Sequence, residues 1–187
     1  MVQSLMRFTM STNQVFDGPV VSLLKMLEAR EKRQVVQQQL ITKYPNDTLL
    51  SITLNIPGEI KNSISLEKFF NLQLSDLQTR YKDVIIEEST FYEHTGNEAF
   101  LVLRIDPMRL KRELIEFEES LPARRILDLD VLYLNEQQLT IVSRRDYHLP
   151  PRRCLVCERD AKVCGRERKH PVEEIQQKIA ALICSST

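Results

Sequence analysis

Leu50-Ser51-Ile52-Thr53-Leu54-Asn55-Ile56-Pro57-Gly58 is the stretch that decides the fold class. Apolar Leu50, Ile52, Leu54 and Ile56 alternate with polar Ser51, Thr53 and Asn55. A period of two is the signature of a half-buried strand, because successive side chains point to opposite faces. Pro57-Gly58 ends the run as a turn dipeptide. Beyond it Phe70, Leu74, Leu77 and Tyr81 fall at i, i+4, i+7 and i+11, which predicts a helix. Strands follow over 84–91 and 99–105, joined by a turn containing Thr95-Gly96-Asn97. Asp106-Pro107 is an N-cap and first-turn pair for another helix, with Leu110, Leu114 and Phe117 as its buried stripe. Strands 126–134 and 139–143 can pair as a hairpin through 135–138.

Upstream, a helix is expected from Asp17, with Val21, Leu24 and Leu27 at apolar spacing. The last helix starts at Pro171 and carries Ile175, Ile179 and Leu182 on one face. The order is a helix, βαββαββ, a cysteine-bearing segment and a final helix. This predicts an α+β protein with a single mixed or antiparallel sheet and helices packed on one face. Ferredoxin-like and nucleotidyltransferase-like sheets both satisfy the order. Residues 1–17 are expected to form a loose leader, and 18–187 a single domain whose C-terminal part, 143–170, is rich in Cys and Arg.

Bulk properties narrow the function. Hydrophobic residues make up 42% and charged residues 28% of the 187, an ordinary globular balance. Lys plus Arg and Asp plus Glu number 26 each, which argues against a general nucleic-acid binder with its basic excess. No run approaches the roughly 20 apolar residues that span a bilayer, and residues 1–17 lack the apolar core of a signal peptide. A cytoplasmic protein without a membrane partner is expected. In that reducing compartment the four cysteines are thiols or metal ligands rather than a disulfide framework.

Two segments carry chemistry. In Arg125-Ile126-Leu127-Asp128-Leu129-Asp130-Val131 the two aspartates share one face of a strand, roughly 7 Å apart. Leu127, Leu129 and Val131 anchor the opposite face. Such a pair can bracket Mg²⁺ and the phosphates that it carries. Next, Ser143-Arg144-Arg145-Asp146-Tyr147-His148-Leu149-Pro150-Pro151-Arg152-Arg153 is dense in guanidinium groups, whose planar fork matches phosphate oxygens. Cys154, Cys157, Cys164 and His170 then form a candidate Cys3His set for structural Zn²⁺. A nucleophilic pairing of Cys157 or Cys164 with His148 or His170 has no local signature. Glu116 and Glu118 are expected to be solvated helix-face acids.

At these residues the chain resembles the apo-citrate lyase phosphoribosyl-dephospho-CoA transferase family, also called citrate lyase holo-acyl-carrier-protein synthase. The resemblance runs from Gly18 to Ile183 and is strongest in Pro57-Gly58-Glu59-Ile60-Lys61, in the aspartate strand and in Ser143–Arg152. It continues through Cys154, Cys157, Ala161, Val163, Cys164, Arg166 and His170. One departure is Arg124, where the family usually has Gly. The resemblance implies a nucleotidyltransferase-type transfer from triphosphoribosyl-dephospho-CoA to a serine of the apo acyl carrier (gamma) subunit of citrate lyase, releasing pyrophosphate. It also implies roles. Asp128 and Asp130 would hold Mg²⁺ and one would take the serine proton; Arg125, with Arg144, Arg145 and Arg152, would bind the triphosphate and stabilise developing charge, and Lys61 is a further phosphate-binding candidate. Two alternatives stay open. One is the same chemistry on another carrier, as in malonate decarboxylase; the other is a non-catalytic zinc-binding interaction module. Because the chain ends soon after its last helix, the precursor is expected from a separate protein.

Overall fold

The computed structural model describes residues 12–186. After a short helical turn, α1 (Thr12–Val15), come α2 (Leu23–Lys43), β1 (Thr48–Leu54), α3 (Ile64–Tyr81), β2 (Ile85–Glu93) and β3 (Gly96–Leu103). Then follow α4 (Pro107–Ser120), β4 (Leu127–Asn135), β5 (Gln138–Val142), α5 (Ala161–Glu167) and α6 (Val172–Cys184). One sheet holds all five strands in the order β2-β3-β1-β4-β5, and every neighbouring pair is antiparallel. The unit β1-α3-β2-β3-α4-β4 is therefore a split β-α-β arrangement of the ferredoxin-like kind, extended at its β4 edge by β5.

Local chemistry explains the element ends. Ser63 caps α3 by accepting from the Leu66 amide at 3.1 Å. Asp106 caps α4 by accepting from the Arg109 amide at 2.7 Å, with Pro107 in the first turn. Both side chains satisfy amides that a helix start leaves without intrahelical partners. Gly58 has φ of +85° and Gly96 of +120°, conformations that L side chains rarely adopt, so each permits its turn.

Three expectations are corrected. First, the upstream helix begins at Leu23, capped by Ser22, not at Asp17. Leu24 and Leu27 stay exposed, while Gln37, Leu40 and Ile41 are buried, because only the C-terminal half of α2 lies on the sheet. Secondly, helices cover both faces. Leu50, Ile52, Leu127, Leu129 and Val131 pack with α3 and α4 through Phe70, Leu74, Leu110 and Leu114. On the other face Leu49, Phe100, Val102 and Leu132 pack with Leu40 and Ile41 of α2. β1 is thus central and covered on both faces over Thr48–Ile52 rather than half-buried. Thirdly, Val15 and Phe16, at the end of the expected leader, are buried with Ile56, Phe69, Ile126 and Ile179; residues 1–11 of that leader lie outside the described residues.

Glu136 and Gln137 connect β4 to β5 with φ of 48° and 66°, the left-handed pair of a two-residue hairpin turn. Neither is Gly or Asn, and each left-handed L residue costs about 1–2 kcal/mol. Gln137→Gly should therefore stabilise the protein by about 0.5–1 kcal/mol, net of the greater unfolded-state freedom of Gly. Thermal unfolding followed by circular dichroism should show a rise of about 2 °C; a fall would mean that the turn is not strained.

Candidate active site

On the face that α2 covers, the sheet changes from apolar to polar along its strands. The apolar row is Val102–Leu49–Leu132; the next rows are Phe100–Ser51–Asp130 and Glu98–Thr53–Asp128. Asp128 and Asp130 are thus neighbours on one face of β4, with Ser51 and Thr53 beside them. α2 reaches over these rows. Gln37 donates to Ser51 Oγ at 3.1 Å, and Arg33 donates to Glu98 Oε1 through Nε at 3.0 Å and Nη2 at 2.5 Å. Burial pushes the Asp130 carboxyl above its usual range, and the charge of Asp128 adds to this. The cations Lys111, Arg152 and Arg33 oppose the rise. Asp128 is half exposed. Two adjacent carboxylates, one of them open to solvent, suit a divalent cation that completes its shell with phosphate oxygens and water.

The arginine segment approaches from the β4 edge. Arg152 Nη1 lies 3.7 Å from Asp128 Oδ1, and Arg152 Nη2 is paired with Glu118. Arg144 lies 3.9 Å from Glu118 Oε2 and bonds Glu119 at 2.6 Å. Glu118, expected to be solvated, is instead only 2% exposed. Burial raises its pKa, against the charges of Arg152, Lys111 and Arg144. Helical spacing held the available signal: Leu114 and Glu118 are one turn apart, so a charge continues the buried stripe of α4. Glu116 is exposed, as expected.

Other expected site residues go elsewhere. Arg125 donates to the Arg153 carbonyl at 2.7 Å and, at 3.4 Å, to that of Cys154, so its visible role is to hold the cysteine segment. Arg145 is exposed. Lys61 donates to the Ile56 carbonyl at 2.6 Å; burial, then the charge of Arg30, lowers its pKa. Arg30 and Arg33 are three apart on α2 and share a helix face, so α2 brings two guanidinium groups toward Lys61 and Asp130. Arg124 is fully engaged, donating to Gln73 at 3.0 Å, Ser120 at 2.7 Å and Asp76 at 2.6 Å. Its guanidinium also stacks 3.7 Å above the Phe117 ring.

Cys154, Cys157, Cys164 and His170 converge, with ligand atoms all within 4.8 Å of one another. Cys157 Sγ lies 3.6 Å from Cys164 Sγ and 3.2 Å from His170 Nε2. A tetrahedron of zinc–sulfur bonds has edges of about 3.7 Å, from a bond length of about 2.3 Å, so the group can hold a metal. The Val156 amide donates to Cys154 Sγ at 3.4 Å, and His170 Nδ1 lies 3.2 Å from Glu174, the carboxylate partner that orients a ligating imidazole. A Cys–His nucleophile would need one thiol beside the ring, whereas three surround it.

Glu118→Ala would leave Arg152 and Arg144 without their common anchor and Lys111 without a buried counter-charge. Removing one side of a buried ion pair typically destabilises by about 3–5 kcal/mol. Urea unfolding should show a loss of that size; less than about 1 kcal/mol would remove Glu118 from its central role.

Comparison with known proteins identifies the family. The family model described as apo-citrate lyase phosphoribosyl-dephospho-CoA transferase matches residues 21–186. A Streptococcus pyogenes protein named as a probable transferase of that description is 40% identical over 94% of this chain and 92% of its own length. An Escherichia coli transferase of the same name is 36% identical, over 87% and 88% respectively. A Haemophilus influenzae protein named Protein CitXG is 42% identical over 89% of this chain but only 36% of its own length. On a match covering nearly all of its described residues, the chain belongs to the apo-citrate lyase phosphoribosyl-dephospho-CoA transferase family.

Proposed function

We propose that this protein transfers the phosphoribosyl-dephospho-CoA group from triphosphoribosyl-dephospho-CoA to a serine of the apo citrate lyase acyl carrier protein, the gamma subunit. The names of its relatives support apo-citrate lyase as the protein acted on. The observation that carries the chemistry is the juxtaposition of Asp128 and Asp130 with Arg152, whose guanidinium is 3.7 Å from Asp128. No helix among the described residues is long and apolar enough to cross a membrane, in keeping with a reaction in the cytoplasm.

In this reading Asp128 and Asp130 would hold Mg²⁺, which would supply charge neutralisation for a departing pyrophosphate. Arg152 and Arg144, steadied by Glu118, bind the triphosphate at the β4 edge, while Arg33 and Lys61 flank it from the α2 side; Arg125 and Arg145 are secondary candidates. The serine oxygen forms a bond to the phosphorus next to the ribose as the bond to pyrophosphate breaks. The serine proton passes to a carboxylate of the pair. Fixed guanidinium groups stabilise charge as it develops without reorganising. Zn²⁺ in the Cys154, Cys157, Cys164 and His170 group would be structural, fixing the loop that presents Arg152.

The test is the intact mass of the apo carrier after incubation with the protein, the triphosphoribosyl precursor and Mg²⁺. A gain equal to the phosphoribosyl-dephospho-CoA group, absent when Mg²⁺ is omitted, is expected; no gain with verified substrates overturns the reading. Asp128→Asn or Asp130→Asn should slow transfer at least 100-fold, about 2.7 kcal/mol of transition-state stabilisation, with unchanged circular dichroism. Near-normal turnover would exclude the acid pair. Elemental analysis should find about one zinc per chain, and Cys157→Ser should lose it and unfold at lower temperature. A metal-free native protein would end the zinc assignment.

A further inference from the structure

Along β4 the sheet has an open edge beside the acid pair. β5 pairs with β4 only from Val131 onward, while β1 pairs with it along Leu127–Leu132. In an antiparallel strand alternate residues turn their backbone groups to the same side. Leu127 and Leu129, which alternate with the two aspartates, therefore turn theirs to the edge that has no strand. Buried backbone carbonyls need donors. The Leu127 carbonyl accepts from Arg152 Nη1 at 3.1 Å, and the Leu129 carbonyl accepts from Lys111 Nζ at 2.7 Å. Two cations on side chains stand where a neighbouring strand would stand.

Lys111 is only 6% exposed, an unusual place for an ammonium group. A leucine there would pack without a desolvation penalty. The charge is matched instead by Glu118, two turns later on α4, and by the carboxylates of Asp130 and Asp128. The leucine carbonyl that Lys111 holds belongs to the residue between the two aspartates. Arg152 holds the carbonyl just before Asp128.

We infer that Lys111 is the positioning residue of the acid pair: its ammonium group replaces the missing strand at Leu129 and sets how Asp128 and Asp130 are presented to a divalent cation. It touches neither substrate nor metal and acts through the strand. The inference rests on the reading of the acid pair as the metal-holding group. Arg152 performs the same edge contact but also faces Asp128, so Lys111 is the member of the clamp whose effect can be isolated. Its charge also offsets part of the repulsion between two adjacent carboxylates before a cation arrives.

The experiment is a Mn²⁺ titration of the zinc-loaded full chain without substrate, read by loss of the free-ion paramagnetic resonance signal. Mg²⁺ activation of transfer is measured alongside. Lys111→Met should weaken Mn²⁺ binding at least tenfold and raise half-activating Mg²⁺ by a similar factor. At saturating Mg²⁺ the KM for the precursor should stay within twofold. Lys111→Arg, which keeps both charge and donor, should recover most of the loss. Should Lys111→Met fail to fold, Lys111→Gln keeps a donor without the charge and is expected to weaken Mn²⁺ binding at least threefold. A folded Met or Gln variant with Mn²⁺ affinity within twofold of the parent overturns the inference, whatever its thermal stability. Asp128→Asn separates the two levels. If it too leaves Mn²⁺ binding unchanged, the acid-pair reading and the inference fall together. If it abolishes binding while Lys111→Met does not, only the inference falls.

Discussion

One buried carboxylate organises this end of the molecule. Glu118 sits on the sheet-facing side of α4, almost without solvent contact, where a lone ionised acid would be prohibitively unfavourable. It is tolerable only because Arg152, Arg144 and Lys111 surround it. The dependence runs both ways, since Lys111 is equally buried and its charge is matched from the same carboxylate. That mutual requirement pulls the arginine segment, far along the chain, against α4 and the edge of β4. The sheet then gains donors for its open edge, and Arg152 comes within 3.7 Å of Asp128.

The C-terminal segment is built to deliver this contact. Residues 152–161 fold back on themselves, with Ala161 N bonded to Arg152 O at 2.9 Å and Cys154 N to Arg159 O at 2.7 Å. Arg125 clasps the same loop from the entrance to β4. The Cys3His group closes it onto the start of α6, whose Ile179 and Ile183 lie in the core beside Ile126. A loop of arginines and prolines would otherwise be loosely held, because it buries little apolar surface. In the proposed reading, a metal held by these four side chains would tie the loop to the start of α6 and steady Arg152. Arg124 shows how the fold accommodates a cation before the aspartate strand. Its guanidinium ties the turn before β4 to α3 and α4, so a cation stands there without disturbing the aspartate strand.

α2 makes the opposite wall. Its C-terminal half packs on the sheet with Leu40 and Ile41, whereas Arg33 and Gln37 reach the polar rows of β1 and β3. One helix thereby packs on the core and reaches over the candidate site. The alternation in β1 performs the same division on the sheet, with Leu50 and Ile52 facing α3 and α4 while Ser51 and Thr53 stand beside the aspartates.

Local patterns in the sequence were enough for much of the architecture and for the placement of two candidate site motifs. The βαββαββ order, the caps at Asp106 and Pro107, the stripe from Phe70 to Tyr81 and the shared face of Asp128 and Asp130 all follow from periods of two or 3.6 within a few residues. The ligand spacing of Cys154, Cys157, Cys164 and His170 was equally local. What tertiary structure alone decided involves partners distant in the chain. α2 covers the second face with Leu40 and Ile41 rather than with Leu24 and Leu27. Arg125 turns to the cysteine loop, and Glu118 and Lys111 are buried. Arg33 and Glu98, 65 residues apart, meet across the polar row that Thr53 shares with Asp128. A helical or strand period reports which residues share a face, but the face that is covered, and by whose charge, depends on packing between elements that no local period encodes. For a buried ion the difference is decisive, because its stability is set by the arrival of its partners and not by its own neighbours in the chain.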